Sequence, residues 1–288
     1  MRAVIIRYKI TAFFTLAFTL SWLAWTPYVL SENGLGLWHY RFPELLGTSQ
    51  LLGVLPGAYL GPIFAAFLVT ALGEGRAGLR RWGGRVLRWR VGPRWYAGAV
   101  LGVSLVLVVA SLPFSHGWEV PGFSVFAAYA AGLVLQMLTT GLAEEPGWRD
   151  FALPHLQPKY GPLRATLILG PLWGAWHLPL FLTEWGGGPD VSWTAPVEFC
   201  AATVTLSVVM TWVFNRSGES LPIAMLLHTS INNFFSTAWT TVFPGLDTGV
   251  VAHILLISSG AVAVVLMVAT RGRLGYRVCS GDLVAAGS

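Results

Sequence analysis

The chain has 288 residues, of which only 18 are Lys or Arg and 13 Asp or Glu, 11% charged against 55% hydrophobic. A soluble domain carries roughly 25% charge, and one soluble core of this length cannot hide so much apolar surface behind so few charges. An ordinary soluble enzyme and an intrinsically disordered chain are excluded, and an integral membrane protein is expected.

A helix needs about 20 apolar residues to cross the hydrocarbon, and eight such stretches follow one another. The first, 10–30, comes after Arg2, Arg7 and Lys9. It is long enough to span and no small-residue cleavage site follows it, so a retained helix is expected rather than a signal peptide. The second is 49–72. After it comes the most basic stretch of the chain, 76–94, with seven Arg interleaved with Trp82 and Trp89. Attraction to anionic lipid headgroups accounts for that stretch without a nucleic-acid partner. The third span is 95–114.

The fourth, 123–145, ends in Glu144-Glu145-Pro146-Gly147-Trp148-Arg149. Glu145 and Arg149 are four residues apart and can pair, while Glu144 points about 100° away. The two carboxylates therefore cannot share one task. One can be held by Arg149 while the other faces a cavity. Pro146 lacks the amide that would bond the Leu142 carbonyl, which predicts a kink. Asp150 and His155 follow in what reads as a cytoplasmic loop.

The fifth span, 163–183, holds Trp173-Gly174-Ala175-Trp176-His177 and a Gly170-Pro171 break. Gly174 allows another helix to come close. The sixth, 195–214, holds Glu198 near the outer boundary, where it is read as interfacial. The seventh, 219–240, carries His228 and Asn232, four apart on one helix face. The eighth is 250–270. His39, His116 and His253 lie towards the outer face, ungrouped. Cys200 and Cys279 suggest neither a disulfide framework nor a metal cluster, and the Ala-Ala-Gly-Ser end makes Cys279 no prenylation box.

With these spans, 17 of the 18 basic residues fall on one side. By the positive-inside rule that side is cytoplasmic and both termini are inside. The expected fold is all-α, a single polytopic membrane domain over 1–288, multi-pass in the cell membrane. Neither an internal repeat nor a soluble domain is visible, so any chemistry lies in or beside the membrane.

Ionisable side chains near hydrocarbon are costly and are functional candidates by default. Each of the three polar places has an ordinary alternative: a helix-end ion pair, a hydrogen-bonded core histidine, polar side chains joining helices. Three spans each bringing Glu, His or Asn inward favour one constellation. A metal-free site would use a glutamate as base on water, with His and Asn stabilising the oxyanion. A metal site, zinc for example, would use Glu144, His177 and His228. Both point to acyl-bond hydrolysis, with neither a zincin His-Glu-x-x-His nor a Gly-x-Ser-x-Gly motif.

Glu-Glu-x-x-x-Arg, then an aromatic-x-x-x-His, then His-x-x-x-Asn on successive spans resembles the CPBP family. These are CAAX proteases and bacteriocin-processing or immunity proteins, related to the type II prenyl-protein endopeptidase Rce1. The resemblance covers about 123–240, the expected catalytic core, and implies an intramembrane endopeptidase. It implies that Glu144 activates water and that Glu145 and Arg149 complete the motif, with Arg149 orienting it. His177 would help position the water, and His228 with Asn232 would form the oxyanion hole. Trp173 stands where the family usually has Phe, and Asp150 where Gly often follows the Arg. No cofactor is expected, since Asn is a poor zinc ligand, with a divalent metal as the alternative. The expected partner is a peptide or membrane-protein substrate near the cytoplasmic leaflet, prenylated CAAX-type or otherwise. A non-catalytic, peptide-binding immunity protein is the alternative from another class, and a carrier is disfavoured by the missing repeat.

One tension remains at this level. A fourth span ending at 145 puts Glu144 at the cytoplasmic boundary, while His177 lies deeper. Tilt, a Pro146 kink or the Gly170-Pro171 break is then needed to bring them level.

Overall fold

The computed structural model describes residues 6–277, apart from the side chain of Thr248; Arg2 and Cys279 lie outside the described residues. Among them the chain is helical, with no strand beyond an isolated bridge between Leu45 and Thr48. Seven helices are long and apolar enough to cross a membrane: α1 (Lys9–Leu30), α2 (Gln50–Leu87), α3 (Pro93–Phe114), α4 (Phe123–Tyr160), α5 (Pro162–Leu182), α6 (Thr194–Arg216) and α8 (Val251–Thr270).

At the expected seventh span, 219–240, the chain forms α7, a continuous helical run over 221–242, but it is too polar to stand with the seven. His228, Thr229, Ser230, Asn232 and Asn233 lie on it. It does not need to be apolar, because it is enclosed: 11 of the 13 residues from Leu221 to Asn233 are buried. Polar groups in a membrane domain persist where protein surrounds them. The outer helices show the inverse pattern. Leu101, Leu105 and Val109, four apart on α3, are all exposed, as are Val264, Val265 and Val268 on α8. Those faces suit lipid rather than water.

Two expected boundaries are wrong, and the reason is the same in both. The second span does not end at 72, nor the fourth at 145. Both continue as helix past the apolar stretch, α2 to Leu87 and α4 to Tyr160. Hydropathy registers lipid contact, and these extensions are held by protein contacts instead. In α2 the helix breaks at Gly75, where φ is 65°. In α4 two π-helical segments, Met137–Gly141 and Trp148–Ala152, flank the Glu-Glu motif. Pro146 sits in the short α-helical stretch between them, and its own carbonyl accepts from Nε1 of Trp82 at 3.0 Å. Such π turns are rare and gather at functional sites.

The basic stretch after Gly75 is therefore not a free loop. Arg85 pairs with Asp150 and with Glu219, both at 2.8 Å, and Arg88 reaches Glu219 at 3.4 Å. Arg81 pairs with Glu74 at 2.6 Å. Asp150, expected in a loop, is buried in α4, and His155 sits 3.6 Å from Glu74. Towards the other end, Glu198 and His253, expected to stand apart, lie 3.2 Å from each other.

The core beside the site is aromatic. Trp25 of α1, Trp148 of α4 and Trp176 of α5 are buried and pack with ring centroids 4.7 and 5.6 Å apart. Polar atoms tie the same helices together: Trp176 Nε1 donates to Ser21 Oγ at 2.7 Å, and Ser21 Oγ donates to the Gly57 carbonyl at 2.7 Å. Away from water such bonds fix register as well as distance. On the far side, α6 packs along both α5 and α8.

Candidate active site

Four helices supply the site. α4 and α5 form a hairpin about Gly161, and α4 continues to that turn. Counted from it, Glu144 lies about 26 Å up one helix and His177 about 24 Å along the other. By this count they stand at similar heights, because α4 is longer than its apolar stretch, and Trp173 links the two. Neither a Pro146 kink nor a break at Gly170-Pro171 is required, and α5 runs as regular α-helix from Pro162 to Trp176. The helix ends at His177 itself, which caps it before a 3-10 turn over Leu178–Leu182.

The two carboxylates have different surroundings. Glu145 is fully buried. Its Oε1 lies 2.8 Å from Nδ1 of His228, and its Oε2 lies 3.6 Å from Nε of Arg149. The expected i,i+4 pair is present, and it faces α7. Glu144 is slightly open, at 5% exposure. Its Oε2 accepts from Nε1 of Trp173 at 2.8 Å, and among the described residues no donor reaches its other oxygen. One carboxylate is thus held by two basic groups, and its neighbour has an oxygen to spare.

Arg149 is fully buried in a cage that a guanidinium suits. It lies over the Trp173 ring at 4.5 Å, and its Nη2 reaches Ser207 Oγ at 3.3 Å and Met210 sulfur at 3.1 Å. A delocalised cation suits an aromatic face with a carboxylate at its edge, although Nε and Nη1 of Arg149 and Oε2 of Glu145 are buried without a hydrogen-bond partner among the described residues.

The histidine tautomers follow from their partners. A carboxylate only accepts, so Nδ1 of His228 donates to Glu145 and Nε2 is turned inward. There it meets Nδ2 of Asn232 at 3.4 Å. His177 donates from Nδ1 to the Trp173 carbonyl at 2.9 Å, which leaves its Nε2 as an acceptor. The His177 ring is stacked on Trp185, centroids 5.5 Å apart, and edged by Phe199 at 5.0 Å.

Trp173 therefore joins the parts. It donates to Glu144, carries Arg149 on its face, supplies the carbonyl that orients His177, and meets the His228 ring edge-on at 5.2 Å. The sequence marks it only by its position four residues before His177. Ser207 and Met210 carry no signal at all, because a serine or methionine in an apolar span looks like any other. Of the expected residues, Glu144, Glu145, Arg149, His228 and Asn232 form one contact network with Trp173, and His177 joins it through that tryptophan.

Small residues let these helices approach. A Cβ on Gly147 would lie 2.5 Å from Cβ of Pro62, and one on Gly174 only 2.5 Å from Thr203 Oγ1, as the expected close approach of α5 requires. Among the described residues no group of three or more His, Cys, Asp or Glu is placed to hold a metal ion.

Residues 126–234 match the family model described as type II CAAX prenyl endopeptidase Rce1-like. The matched segment holds every residue of this network. A curated protein, "CAAX prenyl protease 2" of Methanococcus maripaludis, is 24% identical over 136 residues, 45% of this chain. The alignment spans 50% of that protein's length, about half of it.

Proposed function

We propose, from the premise that residues 126–234 make this chain Rce1-like, that it is an intramembrane endopeptidase whose general base is Glu144. The observation that supports this most is the division of labour between adjacent carboxylates. Glu145 is engaged by His228 and Arg149, and Glu144 keeps an oxygen free beside Trp173.

The reaction is hydrolysis of a peptide bond. Glu144 takes a proton from a water while Nε2 of His177 accepts a hydrogen bond from the same water and fixes its orientation. The oxygen attacks the carbonyl carbon of the scissile bond. Charge develops on the carbonyl oxygen, and donors placed for it are worth most in a water-poor site. Nδ2 of Asn232 turns from His228 to this oxygen, and Nε2 of His228 donates to it in the imidazolium form, with Nδ1 held by Glu145. The proton held by Glu144 then passes to the leaving amine, the C–N bond breaks, and the carboxylate is restored. Arg149 acts through Glu145, and Trp173 positions both Glu144 and His177.

The substrate is a peptide or membrane-protein tail at the cytoplasmic leaflet, with a CAAX-type prenylated end as the first to try. The exposed Arg76, Arg80 and Arg90 face anionic headgroups on that side. The test is cleavage of a farnesylated CAAX peptide and its unprenylated control by the purified protein. Glu144→Gln should abolish turnover and keep the fold. Full cleavage by that variant would falsify the glutamate-base mechanism, and undiminished cellular function in both Glu144→Gln and His228→Ala would replace catalysis by peptide binding.

A further inference from the structure

A cavity of about 510 Å³ lies away from the glutamates, between α3, α6, α7 and α8. Its walls are mainly apolar, with Val106 at 40% exposure on its rim. Two cations stand at one end, Arg94 at the start of α3 and Arg216 at the end of α6. Both are exposed, and neither forms an ion pair among the described residues. Elsewhere the arginines that reach a cavity or the core are matched: Arg81, Arg85 and Arg149 each have a carboxylate. Beside the two arginines, Trp95 and Trp212 pack with centroids 5.6 Å apart, and both line the cavity. Arginines with a tryptophan pair mark the depth where hydrocarbon meets headgroups.

The cavity's dimensions select its occupant. From Arg94 the lining runs along α3 to Leu107, about 20 Å of helix. That exceeds the roughly 15 Å of one leaflet's hydrocarbon, so the groove is as deep as a lipid tail. Gly98 and Gly102, one turn apart, form part of the wall, and a Cβ on Gly98 would meet nothing within 4 Å. The backbone there is bare towards an extended chain.

We propose that this groove binds one anionic glycerophospholipid, its phosphate between Arg94 and Arg216 and an acyl chain along Gly98 and Gly102. Leu227 and Ile231 of α7 line the same groove, next to His228 and Asn232 in sequence. The lipid therefore packs on the helix that carries the oxyanion donors, without entering the site.

Native mass spectrometry of the full chain in micelles tests this. The probes are dioleoylphosphatidylglycerol, dioleoylphosphatidylcholine and glycerol phosphate. One phosphatidylglycerol should be retained at least tenfold over phosphatidylcholine, and glycerol phosphate should not be retained. Arg94→Gln with Arg216→Gln should reduce the anionic lipid to the phosphatidylcholine level. Gly98→Leu with Gly102→Leu should displace it by filling the groove while the melting temperature is kept, since a Cβ at Gly98 meets nothing within 4 Å and one at Gly102 only the Ala97 carbonyl at 3.9 Å. Equal retention of the two lipids by the unaltered protein overturns the proposal. So does an unchanged anionic preference in either double variant when that variant melts as the parent does.

Discussion

Glu144 and Glu145 are neighbours in sequence and should fail in different ways. Glu145 is fully buried, with His228 at 2.8 Å and Arg149 at 3.6 Å. In Glu145→Ala the Arg149 guanidinium loses its one anionic partner. Ser207, Met210 and the Trp173 face remain, and none carries a charge. Removing one partner of a buried ion pair costs about 3–5 kcal/mol, a large part of the roughly 5–15 kcal/mol that holds a folded domain together. Glu144→Gln strands no cation, since Glu144 has no ion-pair partner among the described residues, and the amide oxygen can still accept from Trp173. Its cost should stay within about 1 kcal/mol, the worth of one weakened hydrogen bond. Cleavage should nevertheless fall by about 10²–10⁴, as loss of a general base requires. Thermal unfolding in detergent, read beside cleavage of a membrane peptide, separates the two. Glu145→Ala should unfold at a far lower temperature, and Glu144→Gln should melt near the parent. If Glu145→Ala melts as the parent does, the assignment of Glu145 as the buried counter-charge is wrong.

Further outcomes are expected. Trp173→Phe keeps an aromatic face for Arg149 but loses the donor to Glu144, so the protein should fold and cleave within about tenfold of the parent, a loss of about 1.4 kcal/mol. Trp173→Ala should cost about 3–5 kcal/mol in a melting experiment. Gly147→Ala drives a methyl into Pro62 and should destabilise by about 1–3 kcal/mol, read as a drop in melting temperature. Arg85→Ala strands the buried Asp150 carboxylate. Because Arg85 is 21% exposed, the loss should stay below the roughly 3–5 kcal/mol of a fully buried pair, and adding Asp150→Asn should recover most of it. Cleavage should survive a strong chelator; activity lost to chelation and restored by zinc would instead support metal held through Glu144, His177 and His228.

Much of the site was legible one motif at a time. The i,i+4 spacing put Glu145 against Arg149, and the same spacing put Asn232 beside His228. What spacing along one helix cannot supply is the pairing between helices. That Glu145 also holds His228, while Glu144 answers to Trp173, depends on how α4, α5 and α7 are turned towards one another. Asp150 shows the same limit: its role as the buried partner of Arg85 follows from two helices that outlast their apolar stretches.

Composition and the rhythm of apolar runs determined the membrane class and located seven apolar helices, because burial in lipid demands about 20 apolar residues each time. Where protein replaces lipid that demand lapses. Only tertiary structure therefore decided that α4 continues to Tyr160, that the polar α7 lies inside, and that Glu144 and His177 stand at one depth. Each of these is set by contacts between side chains far apart in the chain, which no local pattern records.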